Sequence, residues 1–482
     1  MTSIGDCMWR GTRRRPRADD VNRIGCRLRT NGVTLVHDRA GPRASSNRRL
    51  ARAARGRAGV AVAVWGAIVA AGVFALVATG DLVSVATEAP PLHGVWDLRP
   101  GLSMLPALVC GVALVAVWPR ACTRLRWRSL IVGSSGAALA WGVSLALVDG
   151  GRGLVGPAQN RREYLAGVRA LGSPAQFLRD FPDAILHSSV HVQGHPPGYP
   201  LIVWAIGGLG LGAWGVTAVQ VAGGVLAVPA VLLAVRAVAG EPFARRAAPF
   251  VAVSPAAIWL VSSADALFAG VGAWAIAAVV LACVGSRGRR TDVLAVVGGG
   301  LLGVAGFLSY GLVLLAAVPL GVAWSRRAVR PVLLAVAGGG AVLLLFAAAG
   351  FWWFDGLAAT RHHYVAGIAS RRPYEVFVVA NLAALAIATG PAVAAGLARL
   401  RGAPVAWLVS GAVAAVALAD LSGMSKGEVE RIWLPFAVWL LPAAGALAAR
   451  DRTRTGTRTV ERWLAAQCAL ALLVQGGVRT PW

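Results

Sequence analysis

The chain is 482 residues long, 57% hydrophobic and only 14% charged. A water-soluble chain of this length would divide into two or three domains with much more charge, so lipid solvates most of it and an ordinary cytosolic enzyme is excluded. Its formal net charge is +26, from 47 basic and 21 acidic residues. The arginines gather in short links between apolar stretches, which accounts for the surplus without nucleic acid, and no aromatic or zinc-finger pattern accompanies it.

Residues 1–59 hold fifteen arginines, four aspartates and no lysine. This segment is too long and polar for a signal peptide and reads as a basic, disordered cytoplasmic tail held near anionic lipid. Apolar stretches follow at 60–82, 102–118, 128–148, 217–238, 247–262, 264–284, 293–308, 311–325, 332–350, 376–395, 404–420, 432–448 and 463–476. Several fall short of the roughly 20 residues that cross a bilayer, so some of these spans are expected to be tilted or broken. The segment 199–214 either spans or returns to the surface. If it does not span, the arginine-bearing links at 119–127, 239–246, 285–292, 326–331, 396–403 and 449–462 all share the side of the basic tail, as the positive-inside rule requires. The expectation is an all-α polytopic membrane protein of about thirteen spans, with N-terminal helices over 60–148, an outer loop with an interfacial helix over 149–216 and a C-terminal bundle over 217–482.

Pro174 followed by Phe177 and Phe181 predicts a short surface helix in that loop. Glycine runs at 298–300 and 338–340 point to close helix approach rather than phosphate cradling. Neither a Walker nor a Rossmann motif is present. The six cysteines lack metal-ligand spacing and suggest neither zinc nor a disulfide framework.

Polar groups collect at four places. Glu163-Tyr164 follows Arg161-Arg162, with Asp149 upstream at the mouth of a span. A carboxylate there can take a proton from a hydroxyl attacking an anomeric carbon, or simply pair with its neighbouring arginines. In His191–Tyr199, Pro196 and Pro197 fix an extended backbone and Gly198 permits close approach, which aims His195 at a phosphate or sugar hydroxyl with His187 and His191 in support. Gly194 and Pro196 argue against the regular helix a three-histidine metal site would need. In 351–375, aromatic residues anchor the loop, while Arg361, His362, Arg371 and Arg372 ask for an anion, either a lipid-linked phosphate or ordinary headgroups. Last, Lys426, the single lysine, stands with Glu428, Glu430 and Arg431 at the start of a span. Those four form either a salt-bridge knot or an anion clamp, for which Arg431 has the bidentate geometry.

The order of an outward loop acid, a His-Pro-Pro element about thirty residues on and a basic outer loop among many spans resembles the GT-C integral-membrane glycosyltransferases. It looks most like the actinobacterial branch near the polyprenyl-phosphate-mannose mannosyltransferases, chiefly over 149–240. The resemblance implies a polyprenyl-phosphate donor of mannose or arabinose, a non-cytoplasmic site in a bacterial plasma membrane, and inverting transfer to a glycan, lipid or protein acceptor. Glu163 falls on the family's loop carboxylate, with Asp149 as the alternative base, and His195, Pro196 and Pro197 fall on its basic-Pro-Pro element. Arg361, Arg372 and Arg431 would contact donor phosphate by role, with His362 and Lys426 beside them. No cofactor is required, although a divalent cation can assist. Two spans precede the loop beyond the family's pattern. Rival readings are a transporter or lipid flippase, which would show inverted repeats and midplane charges, and an oligosaccharide ligase or polymerase.

Overall fold

In hydrocarbon a free amide or carbonyl has no partner, so runs of Ala, Leu, Val and Gly close their hydrogen bonds internally as helices. The computed structural model describes residues 42–168, 172–448 and 454–482. Most of the tail expected at 1–59, with Cys7 and Cys26, and part of the expected link 449–462 lie outside the described residues. Seven described helices are long and apolar enough to cross a bilayer: Gly56–Val77, Leu102–Arg124, Trp127–Asp149, Gly212–Ala239, Ala264–Val284, Arg289–Leu308 and Val329–Ala348. Tyr374–Thr389 and Pro391–Leu397 make an eighth if the pair, bent by 99°, is one span. The chain is thus an all-α, multi-pass membrane protein.

Thirteen stretches read as spans in the sequence; fewer appear as full-length helices, and in three of them proline divides the run. The stretch at 247–262 is divided between the helix Glu241–Ala252 and a 3-10 turn at Pro255–Ile258. The stretch at 432–448 is broken into Leu434–Ala437 and a 3-10 segment Leu441–Leu447, each with an early proline. A ring nitrogen without a hydrogen cannot continue the ladder. Gly390, at φ +79°, makes the bend before Pro391. The ambiguous segment forms the helix Gly198–Gly208, which at 1.5 Å per residue covers about 16 Å against the roughly 30 Å of a hydrocarbon core.

Gly299 and Gly338 bring two spans into backbone contact. A Cβ on Gly299 would lie 1.9 Å from the Ala335 carbonyl oxygen, and one on Gly338 would lie 2.1 Å from that of Val296. The expected surface helix forms at Pro174–Arg179, capped by the Ser173 hydroxyl, which accepts from the Gln176 amide at 3.2 Å. Phe177 and Phe181 are both buried beneath it. A two-residue antiparallel pair, Val95–Trp96 with Val478–Arg479, ties residues 477–482 to the loop after the first span. Cys110, Cys122, Cys283 and Cys468 are free thiols.

Candidate functional site

The His-Pro-Pro element interrupts the helix, but Pro197, at φ −69° and ψ −13°, is helical rather than extended as expected, because it leads directly into the next helix. Val190–Gln193 makes one helical turn, Gly194–Pro197 breaks it, and a new helix starts at Gly198. A Cβ on Gly198 would meet the Phe307 carbonyl oxygen at 2.4 Å, so only glycine lets the element dock on that span. Pro196 and Pro197 are buried. The His195 ring packs between Tyr164 and Phe268, at 5.4 and 5.9 Å between centroids, with Nδ1 2.9 Å from the His191 carbonyl oxygen. Burial pulls its pKa down to about 4, so the ring is neutral.

His191 occupies the central position. Its amide donates to the Arg162 carbonyl at 3.1 Å, joining the two halves of the loop. Nδ1 stands 3.4 Å from the Arg431 guanidinium Nη2 and Nε2 stands 3.4 Å from Glu163 Oε1. A guanidinium only donates, so Nδ1 accepts and the ring proton sits on Nε2, facing the carboxylate. Burial and then Arg431 hold the imidazole well below its ordinary pKa. Glu163 thus faces the neutral His191 ring, and among the described residues neither Arg161 nor Arg162 forms an ion pair with it.

Arg431 is buried, with both Nη atoms engaged and Nε without a hydrogen-bond partner. Nη1 donates to Asp265 Oδ2 and Nη2 to Glu428 Oε2, each at 2.7 Å, and the guanidinium lies 4.1 Å from the Trp482 ring centroid. Two carboxylates on one guanidinium repay much of its desolvation, whereas removing one partner would strand a buried charge. Asp265 begins the span Ala264–Val284 and Glu428 sits in the turn before Val429–Ile432, so this knot clamps two distant parts of the chain.

That turn is held open by its backbone. Gly427 has φ +84° and Glu428 φ +61°, the latter costly for a residue with a Cβ. Asn381 stabilises it by donating Nδ2 to Asp420 Oδ1 and to the Ser425 carbonyl, while its Oδ1 accepts from the Gly427 amide at 3.0 Å. Lys426 serves the same turn. Its amide donates to the Tyr364 hydroxyl at 2.8 Å and its Nζ to the Ala369 carbonyl at 3.2 Å. The Arg372 guanidinium donates through Nη1 to the Lys426 carbonyl and through Nε to Val85 O at 3.0 Å. Nη2 of Arg372 is buried with no hydrogen-bond partner.

Of these groups Glu163, His191, Tyr364, Arg372, Glu428 and Trp482 line a cavity of about 410 Å³, with His93 also in its wall. Burial pushes the Glu163 carboxyl up to about 7, against the pull of Arg431 and with the push of Asp265 and Glu428. Burial pushes the half-buried Glu428 up, but Arg431, then His93 and Arg372, hold it well below the carboxylate range. Glu430 is buried and pushed up to about 7; its Oε1 accepts from the His93 amide at 3.0 Å.

The structure thus gathers Glu163, Arg372, Lys426 and Arg431, with His195 packed behind them. It places Asp149 elsewhere, against Arg99 at 2.5 Å and Gln475 at 3.2 Å, in a different cavity. Arg361 and His362 are exposed on the helix Trp353–Ala366, and it is the neighbouring His363 and Tyr364 that line the site. Of the three arginines expected at donor phosphate, Arg361 is exposed off the site, Arg431 has its Nη atoms taken by carboxylates, and Arg372 keeps an unpartnered Nη2. Sequence reasoning placed none of Asp265, His93 and Trp482 in the site, although Asp265 stands out after Ser262-Ser263 between closely spaced spans. An aspartate inside the first turn of an apolar span was a usable signal, because such residues are costly unless paired or functional. His93 and Trp482 carried none. Among the described residues no group of three or more His, Cys, Asp or Glu could hold a metal ion.

No model of a known protein family matches the chain, and no curated protein sequence matches it.

Proposed function

We propose that the chain is a membrane glycosyltransferase of GT-C type, moving a sugar from a polyprenyl-phosphate donor to a cell-envelope acceptor on the outer face of a bacterial plasma membrane. In this reading the shorter apolar helices complete about thirteen passes. The observation that carries it is a buried carboxyl raised to about 7 in the same cavity as a buried, unpartnered arginine Nη2. A base works best when its pKa lies near the working pH. Glu163 takes the proton of the acceptor hydroxyl as that oxygen bonds to the anomeric carbon, with inversion. The bond from that carbon to the phosphate oxygen breaks, its electron pair leaves with the phosphate, and Arg372 stabilises the charge. His191, fixed by Arg431, orients the carboxylate. Arg431 supports the site through Asp265, Glu428 and His191 rather than by gripping phosphate itself.

The test is transfer of radiolabelled sugar from polyprenyl-phosphate mannose and arabinose donors by the purified chain in lipid, beside Glu163→Gln and Asp149→Asn. Glu163→Gln should lose about 100-fold or more of the rate, the scale of a general base, and keep its melting temperature. Turnover by Glu163→Gln at the wild-type rate would remove Glu163 as the base.

A further inference from the structure

A second cavity, of about 350 Å³, lies beside the first, with Asp149, Arg152, Gly156, Ser262, Gln475 and Thr480 in its wall. The two cavities share only Pro481 and Trp482. The Trp482 indole is the partition: it stacks on His93 with centroids 5.1 Å apart and planes 16° from parallel, and carries the Arg431 guanidinium at 4.1 Å. Asp149 is oriented by two donors, Arg99 Nη1 and Gln475 Nε2, and Arg479 is paired with Asp97 at 2.5 Å. The wall therefore offers fixed donors and acceptors, with Asp149 and Arg479 ion-paired and Arg152 exposed at its edge. An apolar chain would desolvate Asp149 and Gln475 without replacing their lost water, and an anion would face the Asp149 carboxylate. A neutral polyhydroxyl ligand satisfies both kinds of group, and the volume lies within the roughly 300–1,000 Å³ of small-molecule pockets.

We infer that this second cavity is a sugar-binding chamber that receives the acceptor, with Trp482 the partition its hydroxyl must pass to reach Glu163. The acceptor role rests on the transferase reading; the sugar site itself does not.

Gly156 provides the test. It lines the chamber from within the helix Arg152–Gln159, and a Cβ there would meet nothing closer than the Arg152 Cβ at 3.8 Å, so a leucine side chain can start from this wall without a backbone clash at its Cβ. Saturation-transfer NMR on the full chain in nanodiscs, with methyl α-mannopyranoside and methyl α-arabinofuranoside as probes, should show binding by wild type to at least one. The Gly156→Leu signal should fall by about tenfold, while retention of decaprenyl phosphate, measured separately, stays unchanged. No transfer to either glycoside, or an equal signal in Gly156→Leu, overturns the sugar chamber. Sugar binding lost in Gly156→Leu by a chain that never retains decaprenyl phosphate would leave the chamber standing and sink its acceptor role. Arg152→Ala, at an exposed position, is the second variant should Gly156→Leu fail to fold, and it should weaken the same glycoside signal.

Discussion

At the residue scale the charge state of Glu163 decides whether the cavity can act as a base. Its folded pKa of about 7 lies above the ordinary 4.5, so the ionised, proton-accepting form grows as pH rises through neutrality. The transfer rate at subsaturating donor should therefore rise with pH along a limb centred near 7. Asp265 and Glu428 push this pKa up and Arg431 pulls it down. Asp265→Asn removes one negative neighbour and should move the limb to lower pH, read from kcat/KM across about pH 5 to 9. Glu430 also titrates near 7, so Glu430→Gln serves as the control: a limb that vanishes there and persists in Asp265→Asn unshifted would assign it to Glu430 instead. Glu163 was legible in the sequence because its signal is local, an acid beside a tyrosine ahead of His-Pro-Pro. The partners that tune it were not. Asp265 and Arg431 are separated by 166 residues, and the tie of His93 to Glu430 spans 337, distances over which no pattern in one sequence speaks.

At the element scale the turn Lys426–Glu428 determines where Arg372 and Arg431 point. Two successive residues in the left-handed region cost energy that only surrounding contacts repay, and Asn381 and Tyr364 supply them. A Cβ on Gly427 would stand 2.9 Å from Arg372 Nη1 and 3.1 Å from a Phe377 ring carbon, in a conformation that disfavours it. Gly427→Ala should lower stability by about 1–3 kcal/mol and push Arg372 away from the cavity. Thermal unfolding in detergent should show the loss, and decaprenyl-phosphate retention should weaken alongside it. Retention unchanged in a destabilised variant would separate Arg372 from phosphate binding. The sequence showed that this segment was special, through its lone lysine among acids, but left a salt-bridge knot and an anion clamp as equals. Of Lys426, Glu428, Glu430 and Arg431 the structure pairs only Arg431 with Glu428; Asp265 from another span is the second carboxylate on Arg431, Lys426 is spent on a backbone carbonyl and Glu430 accepts from the His93 amide. Elements were read best where apolar length was unbroken, as at 264–284. They were read worst where Pro255, Pro391, Pro435 and Pro442 divide apolar runs that hydropathy joins.

At the scale of the whole molecule, the reading requires the arginine-bearing links and the Glu163 cavity to face opposite sides of the membrane. Positive charge near span ends is retained on the cytoplasmic side, so the link 285–292, with Arg287, Arg289 and Arg290, should remain inside. Ser286 is exposed in that link, and Ser370 is exposed beside Ile368 and Arg372 of the cavity. In a chain whose six cysteines are replaced by alanine, Ser286→Cys and Ser370→Cys can be probed with a membrane-impermeant maleimide on intact cells. Ser370→Cys should label at once, and Ser286→Cys only after the membrane is opened. The reverse pattern would put Glu163 and Arg372 in the cytoplasm, where soluble activated sugars are at hand and a lipid-phosphate donor has no special claim. Labelling of both from outside would break the charge rule on which the topology rests. Only opposite sides leave a raised carboxyl, an unpartnered arginine Nη2 and a polar second chamber where an envelope acceptor can reach all three.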